Sequence, residues 1–258
     1  MKPHIVVCIK AVVVKTVRGR IVRTPDLLRL NPFDLPAIEA ALQLKAQCEG
    51  TLTVLSMGPP SSRIVMAEAL AMGADRAVLA CDRRLAGADT LATSTALAAA
   101  LQKLAPYQLV LFGIRSSDSD TGQVGPQTAA ALDLPLVSGV HRIELRPGGL
   151  RVERTMDHWV ETFEVEFPAA LTIRPEAARP RHIPLGGLSE AFDQREVELF
   201  TAAELGVSLN RVGEAGSPTR VISIKPITHV RRCRLLEGEA AEVADQLMEQ
   251  LLAEGLVD

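Results

Sequence analysis

The chain opens on His4-Ile5-Val6-Val7-Cys8-Ile9, an apolar β-rich run without polar alternation, which predicts a strand buried on both faces. Asn31-Pro32-Phe33-Asp34 interrupts the pattern and predicts a cap for the segment after it. Ala37, Ala41, Leu44 and Cys48 then recur at helical spacing, and Gly50 is expected to end that helix. Thr51 to Met57 predicts a second strand, closed by Gly58-Pro59-Pro60, and Ser61 to Met72 a helix stopping at Gly73. Arg76 to Cys81 predicts a third strand. Asp89 is placed to cap a long Ala/Leu helix reaching Leu104. Gln108 to Gly113 is a fourth strand, followed by a polar loop and a helix expected to open at Pro126.

Strand–helix alternation of this kind predicts a parallel sheet with helices on both faces. After Leu134-Pro135 the pattern changes. Val140 to Leu145, Leu150 to Arg154 and Val160 to Phe167 read as short strands, with a hairpin turn at Arg146-Pro147-Gly148-Gly149. Ala169 to Ile173 is expected to rejoin the main sheet, and Arg174 to Leu188 to form an exposed excursion. Glu239 to Leu252 predicts a final amphipathic helix. The expected organisation is one α/β domain over residues 1–225, a doubly wound, mainly parallel sheet with a small antiparallel hairpin region. A C-terminal helical arm over 226–258 follows it.

Composition narrows the function classes. The 258 residues are 47 % hydrophobic and 23 % charged, as in a soluble globular protein. Aromatics are 3 %, with one Trp and one Tyr, which argues against base-stacking single-strand binders. The net charge is −3, and Arg231, Arg232 and Arg234 make the one short basic cluster, too little for a nucleic-acid face. No apolar run reaches the ~20 residues of a membrane span, and the start lacks a signal-peptide pattern, so a cytoplasmic protein is expected. Cys8, Cys48, Cys81 and Cys233 are scattered and read as free, mostly buried thiols; no metal site is expected.

The most informative stretch runs from Gly113 to Pro126. It joins the end of a parallel strand to a helix, where open α/β sheets bind ligands. Helix N-termini offer free N–H groups and a positive dipole end. Ser116, Ser117, Ser119 and Thr121 add hydroxyls, and Gly122 and Gly125 are expected to let backbone approach a ligand. An ordinary capped loop fits the same residues. Asp118 and Asp120 would repel phosphate and fit caps or ribose acceptors better. A second polar helix start, Asp89, Thr90, Thr93 and Ser94, could line the same pocket. Ile9-Lys10-Ala11 and Met57-Gly58 would complete its wall, with Lys10 as its cation. No nucleophile elbow or carboxylate pair stands out, so no catalytic residue is expected. His158-Trp159 reads as a packed or edge aromatic.

Four stretches together resemble the β subunit of electron transfer flavoprotein. They are Ile5 to Lys10, Asn31-Pro32-Phe33-Asp34 leading to Ala37-Ile38-Glu39-Ala40-Ala41, Ala88 to Ser94, and Asp120-Thr121-Gly122-Gln123-Val124-Gly125-Pro126-Gln127. The resemblance covers nearly the whole chain. It departs at His158-Trp159, where the family has a small cluster after a motif that Arg154 to Asp157 otherwise fits. It implies a heterodimer whose α subunit carries a flavin and whose β subunit, here residues 1–225, is a flavodoxin-like nucleotide-binding domain holding AMP in many members and FAD in electron-bifurcating ones that oxidise NADH. The loop here looks more like the FAD-holding group. The cofactor-binding set implied is Ile9, Lys10, Ala11, Asn31, Met57, Gly58, Asp89, Thr90, Thr93, Ser94, Gly113, Asp118, Asp120, Thr121, Gly122, Gln123, Val124, Gly125, Pro126 and Gln127. Partners implied are the α subunit, met by Val243, Leu247, Leu251 and Leu252, and an acyl-CoA or other flavin dehydrogenase, met by Ile183-Pro184. A non-redox nucleotide-binding module remains the alternative; an α/β hydrolase is disfavoured by the missing elbow.

Overall fold

A computed structural model describes residues 2–14, 22–193, 195–223 and 233–257. Two compact units are resolved, Met1–Ser223 and Ile224–Asp258. In the first, a nine-stranded sheet runs in the order β11-β5-β4-β1-β6-β10-β7-β8-β9. The strands are β1 His4–Cys8, β4 Thr51–Met57, β5 Arg76–Ala80, β6 Leu109–Gly113, β7 Leu136–Arg146, β8 Gly149–Met156, β9 Trp159–Glu166, β10 Ala169–Ile173 and β11 Glu198–Phe200. From β11 to β7 every pairing is parallel; β8 and β9 add an antiparallel meander at one edge. A separate pair, β2 Ala11–Val13 and β3 Leu28–Leu30, follows β1.

The continuous apolar runs are explained by burial from both sides. Ile5, Val7 and Ile9 point into one core with α1 (Leu35–Cys48), α2 (Arg63–Met72) and Ala191 of α5 (Leu185–Asp193). Val6 and Cys8 point into the other, with α3 (Thr90–Leu104) and α4 (Val124–Ala131). Winding therefore turns back at β1, which pairs with β4 on one side and β6 on the other. That switch point is where ligands settle in open α/β sheets.

Several local expectations change. The helix α4 opens at Val124, two residues before Pro126. The residue in left-handed conformation after α1 is Glu49, with φ 49°. Gly50 is needed for another reason: a Cβ there would meet the Pro3 carbonyl oxygen at 2.5 Å. Of the cysteines only Cys8 is buried among the four, Cys48 and Cys81 being half-buried and Cys233 exposed. Trp159 is an edge aromatic, 75 % exposed at the meander tip. The excursion after β10 is mostly exposed, as expected, and carries a 3-10 turn at Pro175–Ala177 and the first turn of α5. In the second unit the helix is α6, Ala240–Ala253. Arg231 and Arg232 lie outside the described residues, as does the expected boundary near 225. No helix among the described residues is long and apolar enough to cross a membrane.

Candidate functional site

At the switch point the chain is stitched together by Asn31 and Asp34. Asp34 stands at the start of α1 but makes no capping bond. Its Oδ2 instead accepts from the Lys10 backbone N at 2.7 Å and its Oδ1 from Asn31 Nδ2 at 2.8 Å. Asn31 Nδ2 also donates to the Arg115 carbonyl at 2.8 Å, and Asn31 Oδ1 accepts from Ser117 N at 3.1 Å. The end of β1 and the β6–α4 loop are thus fastened to one buried pair. Gly113 is required here, since any Cβ would collide with Asp34 Oδ1 and the Phe33 carbonyl. Burial pushes the Asp34 carboxyl up to about 7, against the pull of the Lys10 and Asn31 hydrogen bonds. Burial likewise raises the Cys8 thiol.

Two cations at the loop, Lys10 and Arg115, are already engaged. Lys10 Nζ donates to Asp118 Oδ1 at 2.6 Å, Ser116 Oγ at 3.2 Å and Ser119 Oγ at 3.3 Å. Burial raises the Asp118 carboxyl, but Lys10 outweighs it and holds the group below the usual carboxylate range. Arg115 pairs with Asp120 at 3.1 Å and lies 4.5 Å from the Phe33 ring centroid. Asp120 takes a left-handed φ of 55° and Gly122 one of 63°. Such turn conformations aim backbone away from a regular strand and form a compact loop.

The two polar helix starts meet. Thr90 Oγ1 donates to Gln123 Oε1 at 3.3 Å. Ser94 Oγ lies 3.2 Å from both the Val124 carbonyl and Gln127 Oε1, while bonding the Thr90 carbonyl at 2.7 Å. The structure thus brings Thr90, Ser94, Gln123, Val124 and Gln127 together, with Thr93 in the same first turn. Asp89 is the cap of α3, accepting from Ala92 N at 3.0 Å. Its other oxygen accepts from Thr219 N at 3.1 Å and Thr219 Oγ1 at 2.9 Å. Burial raises this carboxyl, and those donors more than reverse the effect.

Other expected residues take different parts. Ile9 and Ala11 are buried in the core, so only their backbone can address a ligand. Val124 packs on the opposite core and Met57 does the same. Gly58 accommodates Ser62, whose Oγ a Cβ would strike. Gly125 differs from expectation most clearly: a Cβ there would meet Thr172 Cγ2 at 3.0 Å and Phe112 Cγ at 3.1 Å. Its missing side chain serves the fit of α4 on the sheet, and no ligand is required to explain it. Thr121 and Pro126 stay at the loop and first turn of α4.

Some residues that fasten these segments were not visible in the pattern. Asp34 reads as a cap, Thr219 lies 130 positions from the helix it clamps, and Arg181 gives no periodic sign of its bond to Glu39. On the excursion, Ile183 packs part-buried against the core, while Leu185, the other neighbour of Pro184, is 86 % exposed. On α6, Leu247 and Leu252 are 46 % and 52 % exposed, with Val243 and Leu251 half-buried.

Comparison with known proteins bears on this geometry. Residues 18–205 match the model of the electron transfer flavoprotein domain. The chain is 40 % identical to the electron transfer flavoprotein subunit beta of Thermoanaerobacterium thermosaccharolyticum, over 86 % of this chain and 85 % of that one. It is 41 % identical to the caffeyl-CoA reductase-Etf complex subunit CarD of Acetobacterium woodii, over 74 % of this chain and 73 % of that one. It is 36 % identical to the protein FixA of Azorhizobium caulinodans, over 96 % and 93 %.

Proposed function

The chain belongs to the electron transfer flavoprotein family, among its β subunits, and on that premise we propose that its switch-point cleft holds FAD and that it serves electron transfer between NADH or a flavin dehydrogenase and a second flavin in the α subunit. One observation carries the reading. The N-terminal turns of α3 and α4 lie side by side, joined through Thr90–Gln123 and Ser94–Gln127. Two helix starts side by side, each the positive end of a helix dipole, suit a diphosphate better than the single phosphate of AMP. The relative named as part of a caffeyl-CoA reductase-Etf complex supports a partnership with a CoA-linked reductase.

The donor set fits a dinucleotide. Backbone N–H groups of Gln123, Val124 and Gly125 and the hydroxyls of Thr90 and Thr93 would hold the phosphates, and the Gln123 side chain would orient them. Lys10 reaches an anion only by loosening its contact with Asp118, so it exchanges one partner for another. The Asn31–Asp34 pair keeps the loop closed against β1 meanwhile. Bound FAD would supply the hydride and single-electron chemistry; the protein binds, orients and tunes it. The docking surfaces in this reading are α6, through Val243, Leu247, Leu251 and Leu252 toward the α subunit, and the excursion toward the dehydrogenase. There Leu185 replaces Ile183 as the anchor, because Ile183 is spent on the core.

The test is to purify the heterodimer, release its nucleotides and separate them by chromatography. Two FAD per heterodimer and reduction of the complex by NADH are expected. One FAD with one AMP overturns the reading.

A further inference from the structure

The excursion between β10 and α5 is held down at apolar points on either side of one polar clasp. Ala178 and Ala191 are buried. Ile183 and Leu188 pack part-buried on the core beneath α1 and α2. Gly187 approaches the end of α2 so closely that a Cβ would meet the Ala71 carbonyl oxygen at 2.9 Å. Between these points Glu39 of α1, only 5 % exposed, grips Arg181. Its Oε2 accepts from Arg181 Nε at 2.7 Å and from the Arg181 backbone N at 3.2 Å, and its Oε1 from Arg181 Nη2 at 3.0 Å. Gln43 Nε2 adds a bond to Oε1 at 3.1 Å. Burial raises the Glu39 carboxyl, but these donors outweigh it and hold it below the usual carboxylate range.

Burying a carboxylate is costly even when it is paired, and an apolar contact would fasten a surface segment more cheaply. The pair offers something an apolar contact does not, a fixed geometry. A fork of guanidinium N–H groups on a carboxylate sets both distance and direction. The bond from the Arg181 backbone extends that constraint to the main chain, four residues before the exposed Leu185. On α5, Phe192 falls seven positions after Leu185, on the same helix side, and is 51 % exposed.

We propose that Glu39 and Arg181 form a positioning pair that presets residues 179–186, so that Leu185 is presented in its docking conformation before the dehydrogenase arrives. The inference rests on the reading of Leu185 as the dehydrogenase anchor. Preordering removes the conformational cost of fixing the segment at encounter, so the pair acts on affinity and leaves the electron-transfer step alone.

The experiment uses the purified heterodimer as varied substrate for an acyl-CoA dehydrogenase kept reduced by its acyl-CoA. Three variants are compared: Leu185→Ala, Glu39→Gln combined with Arg181→Met, and all three changes together. The double change leaves no buried charge unpaired. Both Leu185→Ala and the double change should raise KM about 5-fold, with kcat and bound flavin unaltered, the size expected from one or two freed side chains. All three changes together should be no worse than Leu185→Ala alone within about 2-fold, because coupled positions do not add. A normal KM for the double change beside a raised KM for Leu185→Ala overturns the positioning pair and leaves the docking reading standing. A normal KM for Leu185→Ala overturns the docking reading and the inference with it. Effects that multiply in full place the pair's action elsewhere and overturn the inference alone. If the double variant does not fold, hydrogen exchange on the unaltered heterodimer decides: the Arg181 amide should be protected, and exchange at the free-peptide rate overturns the proposal.

Discussion

Replacing Gly125 separates packing from ligand contact. Gly125 is the second residue of α4, and an added Cβ would sit 3.0 Å from Thr172 Cγ2, 3.1 Å from Phe112 Cγ and 3.3 Å from Phe112 Cβ. Carbon atoms rest at about 3.5–4.0 Å, so a retreat of roughly 0.5 Å is needed. Thr172 and Phe112 are 2 % and 4 % exposed within the parallel sheet and have no room to withdraw. The helix must lift. Overpacking of this kind costs about 1–3 kcal/mol, while alanine recovers up to about 1 kcal/mol of helix propensity. Gly125→Ala should therefore cost about 1 kcal/mol and lower Tm by about 2–4 °C in a domain of this size. Gly125→Val adds two methyl groups to the same gap and should cost about 3 kcal/mol or more. Lifting α4 also draws Gln123 away from Thr90, so nucleotide retention should fall in step with Tm. Thermal unfolding of the heterodimer and nucleotide content after gel filtration test both. A valine variant with unaltered Tm that has lost its nucleotide would refute the packing argument and restore a direct ligand contact at this position.

Three further outcomes are expected. Asp34 holds its proton more tightly folded, with a value of about 7 against an ordinary 3.8, so its stabilisation is complete below pH ~4 and is lost as pH rises toward 7. The loss is of the order of 4 kcal/mol at ~1.4 kcal/mol per pH unit, and Asp34→Asn should flatten stability between pH ~4 and ~7 in denaturant titrations; an unchanged slope contradicts the assignment. Lys10→Met removes an ion pair with side chains 38 % and 19 % exposed, so unfolding should change by under about 1 kcal/mol. Nucleotide affinity should drop about tenfold, ~1.4 kcal/mol, because Asp118 then faces the phosphates alone; equal affinity by calorimetry sinks the exchange of partners at Lys10. Deleting residues 239–258 should abolish the heterodimer, and a truncated chain that co-elutes with the α subunit refutes α6 as the docking arm.

The parallel sheet was legible because its strands are buried on both faces and carry unbroken apolar runs, as in Ile5 to Ile9. The helices between them showed their period and their caps, Asp89 above all. The site was legible as a region, since polar loops after parallel strands are local features. Its internal wiring was not. Asp34 looks like a cap by residue type, and nothing nearby signals that its side chain turns back to β1. Gly125 looks like a ligand approach because glycine is silent about which side needs the space. Thr219 and Arg181 act through partners more than a hundred positions distant, which no local period can carry. Leu185 and Ile183 flank the same proline with similar hydrophobicity; only packing separates the anchor from the core.

The place of β10 has a consequence for how the chain is made. Its partners are β6 and β7, while the meander of β8 and β9 lies between β7 and β10 in sequence. During synthesis β1, β4, β5 and β6 can pair as soon as residue 113 has emerged, leaving β6 as an open edge. That edge stays unfilled until Ala169 to Ile173 arrive about fifty-five residues later, a wait of several seconds at about 5–20 residues per second. A meander emerging first beside an open parallel edge is a ready-made wrong partner. The charged faces of β8 and β9, with Arg154 bound to Glu161 at 2.6 Å, give those strands a neighbour of their own while the vacancy waits.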